Sequence, residues 1–323
     1  MKTLKKILAV FLAILTIFTT CSVVMPVFAA GETEITDTAE ETAEPVIVSE
    51  ITDKRESNSK HFLMSDGTFM VAQYAEPIHY YDDEGENWID IDNSVSKIEA
   101  TAEQTDLFGT DELYSTNNIT DNVVFAEKSN FNTLVSYEAK EHPISFNYQS
   151  AKKSYINVVD NETVLEGDDA FLSLPDITQE VVYEDVFDDV DLQYIVSPTG
   201  LKENIILKTE SAQNSFTVNY NIGELTAEVV DSNTINLMAE NEVVYTISAP
   251  YMTDANGEKS EAVTLTVEKN KNGKLRLVIS ADENWLNAED RVYPVVVDPI
   301  VETEREKESI AAVMIADSKA YKN

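Results

Sequence analysis

Apolar and polar residues alternate with a period of two along most of the chain, and turn dipeptides separate these runs. In the run "VTLTVEKNKNGKLRLVIS", Val263, Leu265 and Val267 share one side of a predicted strand. The same alternation resumes after Asn272-Gly273, a pair that suits a two-residue turn because asparagine and glycine tolerate positive φ. This segment therefore predicts a β-hairpin, since a period of two is typical of half-buried strands.

Further turn dipeptides, Asp66-Gly67 and Asn256-Gly257, also predict hairpins. Only "ADENWLNAEDR" at 281–291 indicates a short helical turn, with Asp282 as its cap. Because strands recur about every ten residues without alternating helices, the predicted fold class is antiparallel all-β and sandwich-like. Other predicted strands carry Phe216, Val218 and Tyr220; Leu225, Ala227 and Val229; Ile235 and Leu237; and Val243, Tyr245 and Ile247.

The first 29 residues have the features of a secretory signal peptide. A basic start at Lys2, Lys5 and Lys6 precedes an apolar run, and the small residues Val27 and Ala29 mark the expected cleavage site. An uncleaved membrane anchor is the alternative, but polar residues interrupt the apolar run before the cleavage site. The chain is therefore expected to be exported, and no membrane span is predicted in the mature part.

The rest of the chain divides by composition. Residues 30–59 are rich in Glu and Thr and poor in apolar residues, so we expect an acidic flexible linker there. Two β-rich regions follow at 60–175 and 176–300, and they can also form one unit. Residues 301–323 are expected to be a linker or the start of a following module.

Charge and cysteine content narrow the class of protein. Cys21 is the only cysteine and lies in the predicted signal peptide, so the mature chain has no thiol for a disulfide, a nucleophile or a metal site. The formal net charge is -36, and it becomes -39 when the signal peptide is removed, because 23 basic residues become 20 against 59 acids. This excess of acids predicts that neither nucleic acid nor an anionic membrane surface is a partner.

An acidic segment, "HYYDDEGENWIDIDN" at 79–93, is the main candidate for a site. It predicts a hairpin with Gly85 in the left-handed position of the loop. An EF-hand is excluded because the first and twelfth ligand places hold Tyr80 and Ile91. Asp90 and Asp92 are two residues apart on one predicted strand, so they could hold calcium together with a distant loop. A solvated strand face is the simpler interpretation, and it is the one favoured.

No residue pattern points to catalysis. His61, His79 and His142 are the only histidines, and none lies in an HExxH motif. The chain also lacks a GxSxG elbow, a GxGxxG loop and a P-loop, so no catalytic residue and no cofactor are predicted. We therefore expect a protein that is not an enzyme. The alternative is an extracellular polysaccharide-acting enzyme that uses a carboxylate pair.

Four further motifs stand out along the chain: "SDGTFMVAQYAEPIHYYDDEGENWIDIDNSV" (65–95), "VVYEDVFDDVDLQYIVSPTGLKENIIL" (181–207), "APYMTDANGEKSEAVTL" (249–265) and "WLNAEDRVYPVVVDP" (285–299). Each motif alone is weakly specific, but their order and spacing across about residues 61–300 are more specific. Together they resemble a known family, the Gram-positive exported wall-associated or RHS-repeat proteins that carry a DNRLRE domain.

The resemblance implies a non-catalytic, N-terminal β-rich region that precedes a DNRLRE-type module, and it transfers no catalytic residue. The chain ends at Asn323, where that module would only begin, so both a fragment and a protein without the module stay open. The predicted function is a scaffold or binding module of a secreted cell-surface protein, with a cell-wall or extracellular glycan or protein as partner. A calcium-dependent adhesin that uses Asp90 and Asp92 is a further alternative.

Overall fold

The computed structural model describes residues 44–303, apart from 83–84, 118–120, 140, 161–164, 175, 232 and 299. This part of the chain is mostly β-strand, and every pair of neighbouring strands for which a register is resolved is antiparallel. The predicted all-β, sandwich-like class is thereby confirmed. The predicted signal peptide and residues 30–43 of the predicted linker lie outside the described residues.

The described strands are numbered in chain order. The first group is β1 (Ile47–Glu50), β2 (Ser59–Met64), β3 (Phe69–Gln73), β4 (His79–Asp82), β5 (Asn87–Asp90), β6 (Val95–Glu99), β7 (Glu112–Thr116), β8 (Asp121–Ala126), β9 (Val135–Ala139), β10 (His142–Tyr148), β11 (Ile156–Val158) and β12 (Gln179–Phe187). The second group is β13 (Val190–Ser197), β14 (Gly200–Leu207), β15 (Ser215–Asn221), β16 (Thr226–Val229), β17 (Ile235–Ala239), β18 (Glu242–Ile247), β19 (Tyr251–Thr253), β20 (Lys259–Ser260), β21 (Val263–Lys271), β22 (Lys274–Ala281), β23 (Val295–Asp298) and β24 (Ile300–Thr303).

Helices are short. The described α-helices are α1 (Ala102–Phe108), α2 (Asp168–Leu172) and α3 (Glu283–Leu286). The expected cap of α3 is confirmed, because the Asp282 carboxylate accepts a hydrogen bond from the Trp285 amide at 2.8 Å. None of the helices in this part of the chain has the length and apolar content needed to cross a bilayer.

The described chain forms two compact units. The first runs to Ile91 and includes α2; it contains the sheet β1-β2-β3 and the hairpin β4-β5. Phe62 is fully buried there and contacts Phe171 edge to face, with ring centroids 6.3 Å apart. Strand β1 lies within the range 30–59 that was predicted as a linker. Its Ile47 is buried and pairs with Met64 of β2. The limits of the linker stay a prediction.

The second unit is a sandwich of two sheets. One sheet has the order β21-β22-β15-β10-β9-β8-β7-β6. The other has the order β11-β12-β13-β14-β24-β18-β17-β16, and it also includes β19, β20 and β23. Phe146 of the first sheet lies 6.3 Å from Tyr194 of the second, centroid to centroid, within one buried apolar cluster. The predicted domain limits near residues 175 and 300 stay predictions.

Tyr245 joins the two sheets of the sandwich. Its hydroxyl donates to the carbonyl oxygen of His142 at 2.6 Å and accepts from the Ala139 amide at 2.8 Å. Both groups belong to the opposite sheet, so the buried ring is fixed at its polar end as well as by packing.

The turn dipeptides behave largely as predicted. Asn272 and Gly273 both have positive φ between β21 and β22, and Gly67 and Gly257 have positive φ in their hairpins. Gly85 is different: the left-handed residue of the β4-β5 loop is Glu86, with φ of 52°, so the prediction for Gly85 is wrong. A side chain at Gly85 would instead collide with its neighbours, because a Cβ there would lie 2.6 Å from carboxylate and amide oxygens.

Candidate functional site

Asp90, the first predicted metal ligand, lies at the end of β5 among basic side chains. Its Oδ2 accepts a hydrogen bond from Arg55 at 3.2 Å, and its Oδ1 is 3.9 Å from the Lys60 ammonium. Glu50 holds Arg55 from the other side at 2.6 Å. The side chain of Asp90 is about half exposed, whereas those of its basic partners are mostly covered.

The third partner of Asp90 is the buried ring of His79. Its Nδ1 lies 2.6 Å from the Glu56 carbonyl oxygen, so that nitrogen carries a hydrogen. Its Nε2 lies 3.3 Å from Asp90 Oδ1. Hydrogen bonding by His79 and the charges of Arg55 and Lys60 outweigh burial and lower the pKa of Asp90 to about 2. Asp90 is therefore an ionised member of an ion-pair cluster.

Asp92, the second predicted ligand, lies two residues beyond the end of β5 and outside any strand. Its Oδ1 accepts from the Ser94 amide at 2.9 Å and the Ser94 hydroxyl at 2.6 Å, and its Oδ2 accepts from Asn117 at 3.1 Å. Burial raises the pKa of Asp92, but these hydrogen bonds outweigh it, so the net shift is downward. The carboxylate closes a local turn.

The calcium hypothesis assumed that both aspartates lie on one strand. The structure places only Asp90 on β5. Across the described ranges, no cluster of three or more His, Cys, Asp or Glu side chains has the spacing for a metal ion. Calcium prefers six to eight oxygen ligands. A calcium site at Asp90 and Asp92 stays a prediction to be tested.

Charged residues of the sequence motifs form ion pairs in the second unit. Lys202, from the 181–207 motif, contacts Asp298, from the 285–299 motif, at 2.7 Å. Both side chains are almost fully buried on β14 and β23. Removing either partner would leave a buried charge, which is strongly destabilising. This pair therefore serves the fold.

A second ion pair joins the third motif to the fourth. Asp254, in the turn after β19, accepts a hydrogen bond from Arg291 at 2.9 Å, and both side chains are buried. The Arg291 guanidinium also lies over the Trp285 ring, 3.4 Å from its centroid. Charged residues of three of the motifs thus pair with one another inside the sandwich.

Glu203 is a carboxyl group in the sandwich core. The sequence places it on an apolar face with Leu201 and Ile205, and the side chain is fully covered. Burial raises the pKa of Glu203 to about 7, although the hydroxyls of Tyr194 and Tyr148 act to lower it. Because this side chain is buried, the carboxyl is a weak candidate for chemistry on an external substrate.

An open polar cleft on the outer face of the eight-stranded sheet is the best candidate for binding. It has a volume of about 280 Å³, near the lower end of roughly 300–1,000 Å³ for ligand sites. Its floor is β10, β15 and β22, whose outward residues alternate with the core-facing ones. Its polar lining includes Asn132, Ser145, Asn147, Asn219, Asn221 and Lys274.

Hydrogen bonds fix the amide side chains on this floor. Arg276 Nε donates to Asn219 Oδ1 at 2.9 Å, and Asn219 Nδ2 donates to Asn147 Oδ1 at 3.1 Å. Asn147 Nδ2 in turn donates to the carbonyl oxygen of Asn132. We call these residues, Arg276, Asn219, Asn147 and Asn132, the amide ladder. The ladder uses the amide oxygens as acceptors and leaves a second N–H on each of Asn147 and Asn219.

Helix α1 forms one wall of the cleft. The helix packs through Phe108 on Leu113 and Val124 of β7 and β8. The Thr133 hydroxyl donates to the carbonyl oxygen of Leu107 at 3.0 Å and ties the end of the helix to the sheet. The wall is therefore held by both packing and a hydrogen bond.

Comparison with known proteins indicates the class of this protein. One relative is named a wall-associated protein, which fits a cell-surface protein. This "Wall-associated protein" of Geobacillus stearothermophilus is 24% identical over 216 residues, covering 64% of this chain and 75% of the relative. The "tRNA nuclease WapA" of Bacillus subtilis (strain 168) is 30% identical over 258 residues, which is 77% of this chain and 10% of that protein.

The "tRNA3(Ser)-specific nuclease WapA" of Bacillus spizizenii gives the same identity and coverage. The chain thus spans about a tenth of the length of the nucleases it matches. No protein-family model matches the chain.

These comparisons correct two predictions. The expectation that the chain is not an enzyme is contradicted, because three relatives are named as nucleases. The exclusion of nucleic acid as a partner is at odds with the same names. That exclusion came from net charge, which is an average over the whole chain. An average of this kind describes long-range repulsion, and it cannot identify what one site or one associated activity acts on.

Proposed function

We propose that this chain is the wall-facing β-rich module of an exported surface protein. The observation that carries the proposal is its similarity to most of a protein named for wall association. The predicted signal peptide at 1–29 supports export. The polar cleft on the second unit supplies a surface that could contact a hydrophilic wall polymer.

Cell fractionation tests this proposal. The full chain would be expressed in a Gram-positive host, and the medium, wall and membrane fractions would be probed for it. We expect the chain in the wall fraction with a new N-terminus near Ala30, because of the small residues Val27 and Ala29 before it. Retention in the cytoplasm, or an intact Met1, would contradict export.

A second candidate function is cleavage of tRNA, which is favoured by the names of three relatives. Such chemistry needs groups that donate and accept protons. Among the described ion pairs, the one that contains a histidine is Asp90–His79, and its carboxylate is about half exposed. We therefore propose the Asp90–His79 pair as the first candidate for proton transfer in tRNA cleavage.

Incubation of the full chain with tRNA tests the second candidate. We expect discrete fragments on a denaturing gel, with slower cleavage by Asp90→Asn than by Asp92→Asn. The Asp92 variant is a matched control because it removes a neighbouring carboxylate that contacts no histidine. Intact tRNA, under conditions in which an added ribonuclease cleaves it, would rule out activity of this chain.

A further inference from the structure

We infer that the cleft beside the amide ladder binds a short, uncharged saccharide segment through its hydroxyl and acetamido oxygens. This inference deepens the proposed function, on which it rests, by naming the ligand chemistry of the wall-facing module. It is drawn from the side chains that form the cleft, their hydrogen bonds and their charge.

The cleft offers mainly hydrogen-bond donors. Within the ladder, the oxygens of Asn147 and Asn219 already accept bonds, and each side chain keeps a second N–H. Lys274 adds an exposed ammonium group at the edge of the floor, beside Asn221 in the neighbouring strand. A ligand that fits must therefore present acceptors, as the hydroxyl and carbonyl oxygens of a sugar do.

The donors are positioned before any ligand arrives. Asn219 is held on both sides, by Arg276 and by Asn147, on paired strands. Gly109 ends α1 with φ of 75°, and a Cβ there would lie 2.8 Å from Asn132 Nδ2. Because glycine has no Cβ, the C-terminus of α1 and the Asn132 side chain can lie close together. Side chains fixed in this way lose little conformational entropy on binding.

Charge favours an uncharged ligand. The residues that line the cleft include no carboxylate, and Lys274 is the only ionised group among them. Neither Lys274 nor Arg276 pairs with a carboxylate within the described ranges. One lysine gives the cleft little positive charge with which to attract a polyanion, and the net charge of -36 adds long-range repulsion of a long polyanion. A neutral segment uses the donors without that cost.

RNA is the alternative macromolecule for this cleft, and the lining does not favour it. Proteins that bind single-stranded nucleic acid combine a basic groove with aromatic faces on which bases stack. Here the polar lining has one lysine, and the two aromatic residues that line the cleft, Phe146 and Tyr220, are buried in the core. The cleft therefore has neither the basic track nor exposed rings.

Titration of the full chain with a tetramer of β-1,4-linked N-acetylglucosamine tests the inference. NMR of the deuterated, ¹⁵N-labelled chain would follow the backbone amides of Asn147, Asn219 and Lys274. We expect saturable shifts confined to the cleft, with a dissociation constant on the order of 1 mM for so small and open a site.

Three substitutions provide the controls. Asn219→Leu removes the centre of the ladder and should weaken binding about tenfold, as expected for lost hydrogen bonds. Asn221→Leu alters the cleft edge outside the ladder and should also weaken binding, so one poorly folded variant cannot decide the result. Thr266→Leu is the matched control, because this exposed β21 residue on the same sheet is not part of the cleft lining. It should bind like the unchanged chain.

Three results would overturn the inference. These are no shift at about 10 mM tetramer, where a millimolar site is mostly filled; binding by the Asn219 and Asn221 variants as tight as that of the unchanged chain; and shifts in the cleft with a tRNA fragment alone. Binding of isolated walls by all variants would sink the saccharide site but leave wall association standing. Binding of the tetramer without binding of walls would support the saccharide site and contradict wall association.

Discussion

Charged side chains in this protein differ greatly in how far they are covered, and coverage decides what each can do. Lys202 and Asp298 lie inside the sandwich as a direct pair, whereas Asp90 is about half exposed and faces three basic groups. Sequence patterns alone place Glu203 on an apolar face and Asp282 at a helix start. They cannot identify Arg55 or Lys60 as partners of Asp90, because those contacts depend on the packing of separate strands.

Glu203 should make stability depend on pH. Burial raises the pKa of its carboxyl to about 7 in the folded chain, above roughly 4.3 in the unfolded chain. The folded state therefore holds the extra proton between these values, so its stability falls as pH rises from about 4.3 to 7. Glu203→Gln should remove this loss, which is roughly 4 kcal/mol at pH 8.

Urea denaturation at pH 5 and pH 8 measures the effect of Glu203. The variant should gain stability relative to the unchanged chain on going to pH 8, because glutamine does not ionise. Glu224→Gln, at an exposed position, is the control and should follow the unchanged chain. The same pH dependence in all three proteins would show that Glu203 is not a titrating core group.

Asp90 and Asp92 provide the test of the calcium hypothesis. We expect calcium and magnesium to raise the melting temperature equally, because oxygens of both carboxylates already contact protein donors. A true weak site would instead give a calcium-specific gain on the order of 1 to 3 kcal/mol. Melts of the unchanged chain and of Asp90→Asn with Asp92→Asn, at matched ionic strength, measure the difference. A calcium-specific shift lost in the double variant would establish the site.

At the scale of elements, turns, alternation and the short helix α3 were predictable, but α1, α2 and the sheet pairing were not. Asn272-Gly273 specifies its hairpin locally, since both residues adopt positive φ. Helix α1 was missed, although Thr101 and Gln104 form a capping box at its start. Its seven residues are too few for a clear helical period. The cleft was missed because its floor combines strands distant in sequence.

Gly109 gives a test of the junction between α1 and the cleft. Gly109→Ala should destabilise the chain by about 1 kcal/mol for positive φ and further because its Cβ would lie 2.8 Å from Asn132 Nδ2. Gly257→Ala is the matched control, since Gly257 has φ of 84° and open space around it. Thermal melts should show the larger loss for Gly109. Equal losses would mean that Asn132 moves away easily.

At the scale of the whole molecule, the excess of acids is a general source of repulsion. The 59 acidic residues outnumber the basic ones by 36. Monovalent salt should therefore raise the melting temperature modestly, because at about 0.15 M screening acts over roughly 8 Å. Melts across a series of sodium chloride concentrations measure this. A fall in melting temperature with salt would mean that attractive ion pairs dominate.

Net charge is a quantity of the whole chain, and it led sequence reasoning to exclude nucleic acid as a partner. That exclusion is at odds with the names of the nuclease relatives. A surface location was predicted from the first 29 residues and the four motifs, which are local signals, and a relative named for wall association fits it. An activity known only from the names of much longer relatives has no comparable local signal in this chain.

Wall association is the central claim, and cosedimentation with isolated walls tests it most directly. The purified full chain would be mixed with Gram-positive cell walls stripped of protein, and the pellet and supernatant would be compared across wall concentrations. We predict saturable recovery of the chain in the pellet, reduced by the N-acetylglucosamine tetramer. Recovery in the supernatant at every wall concentration, with the chain folded by circular dichroism, would contradict the account.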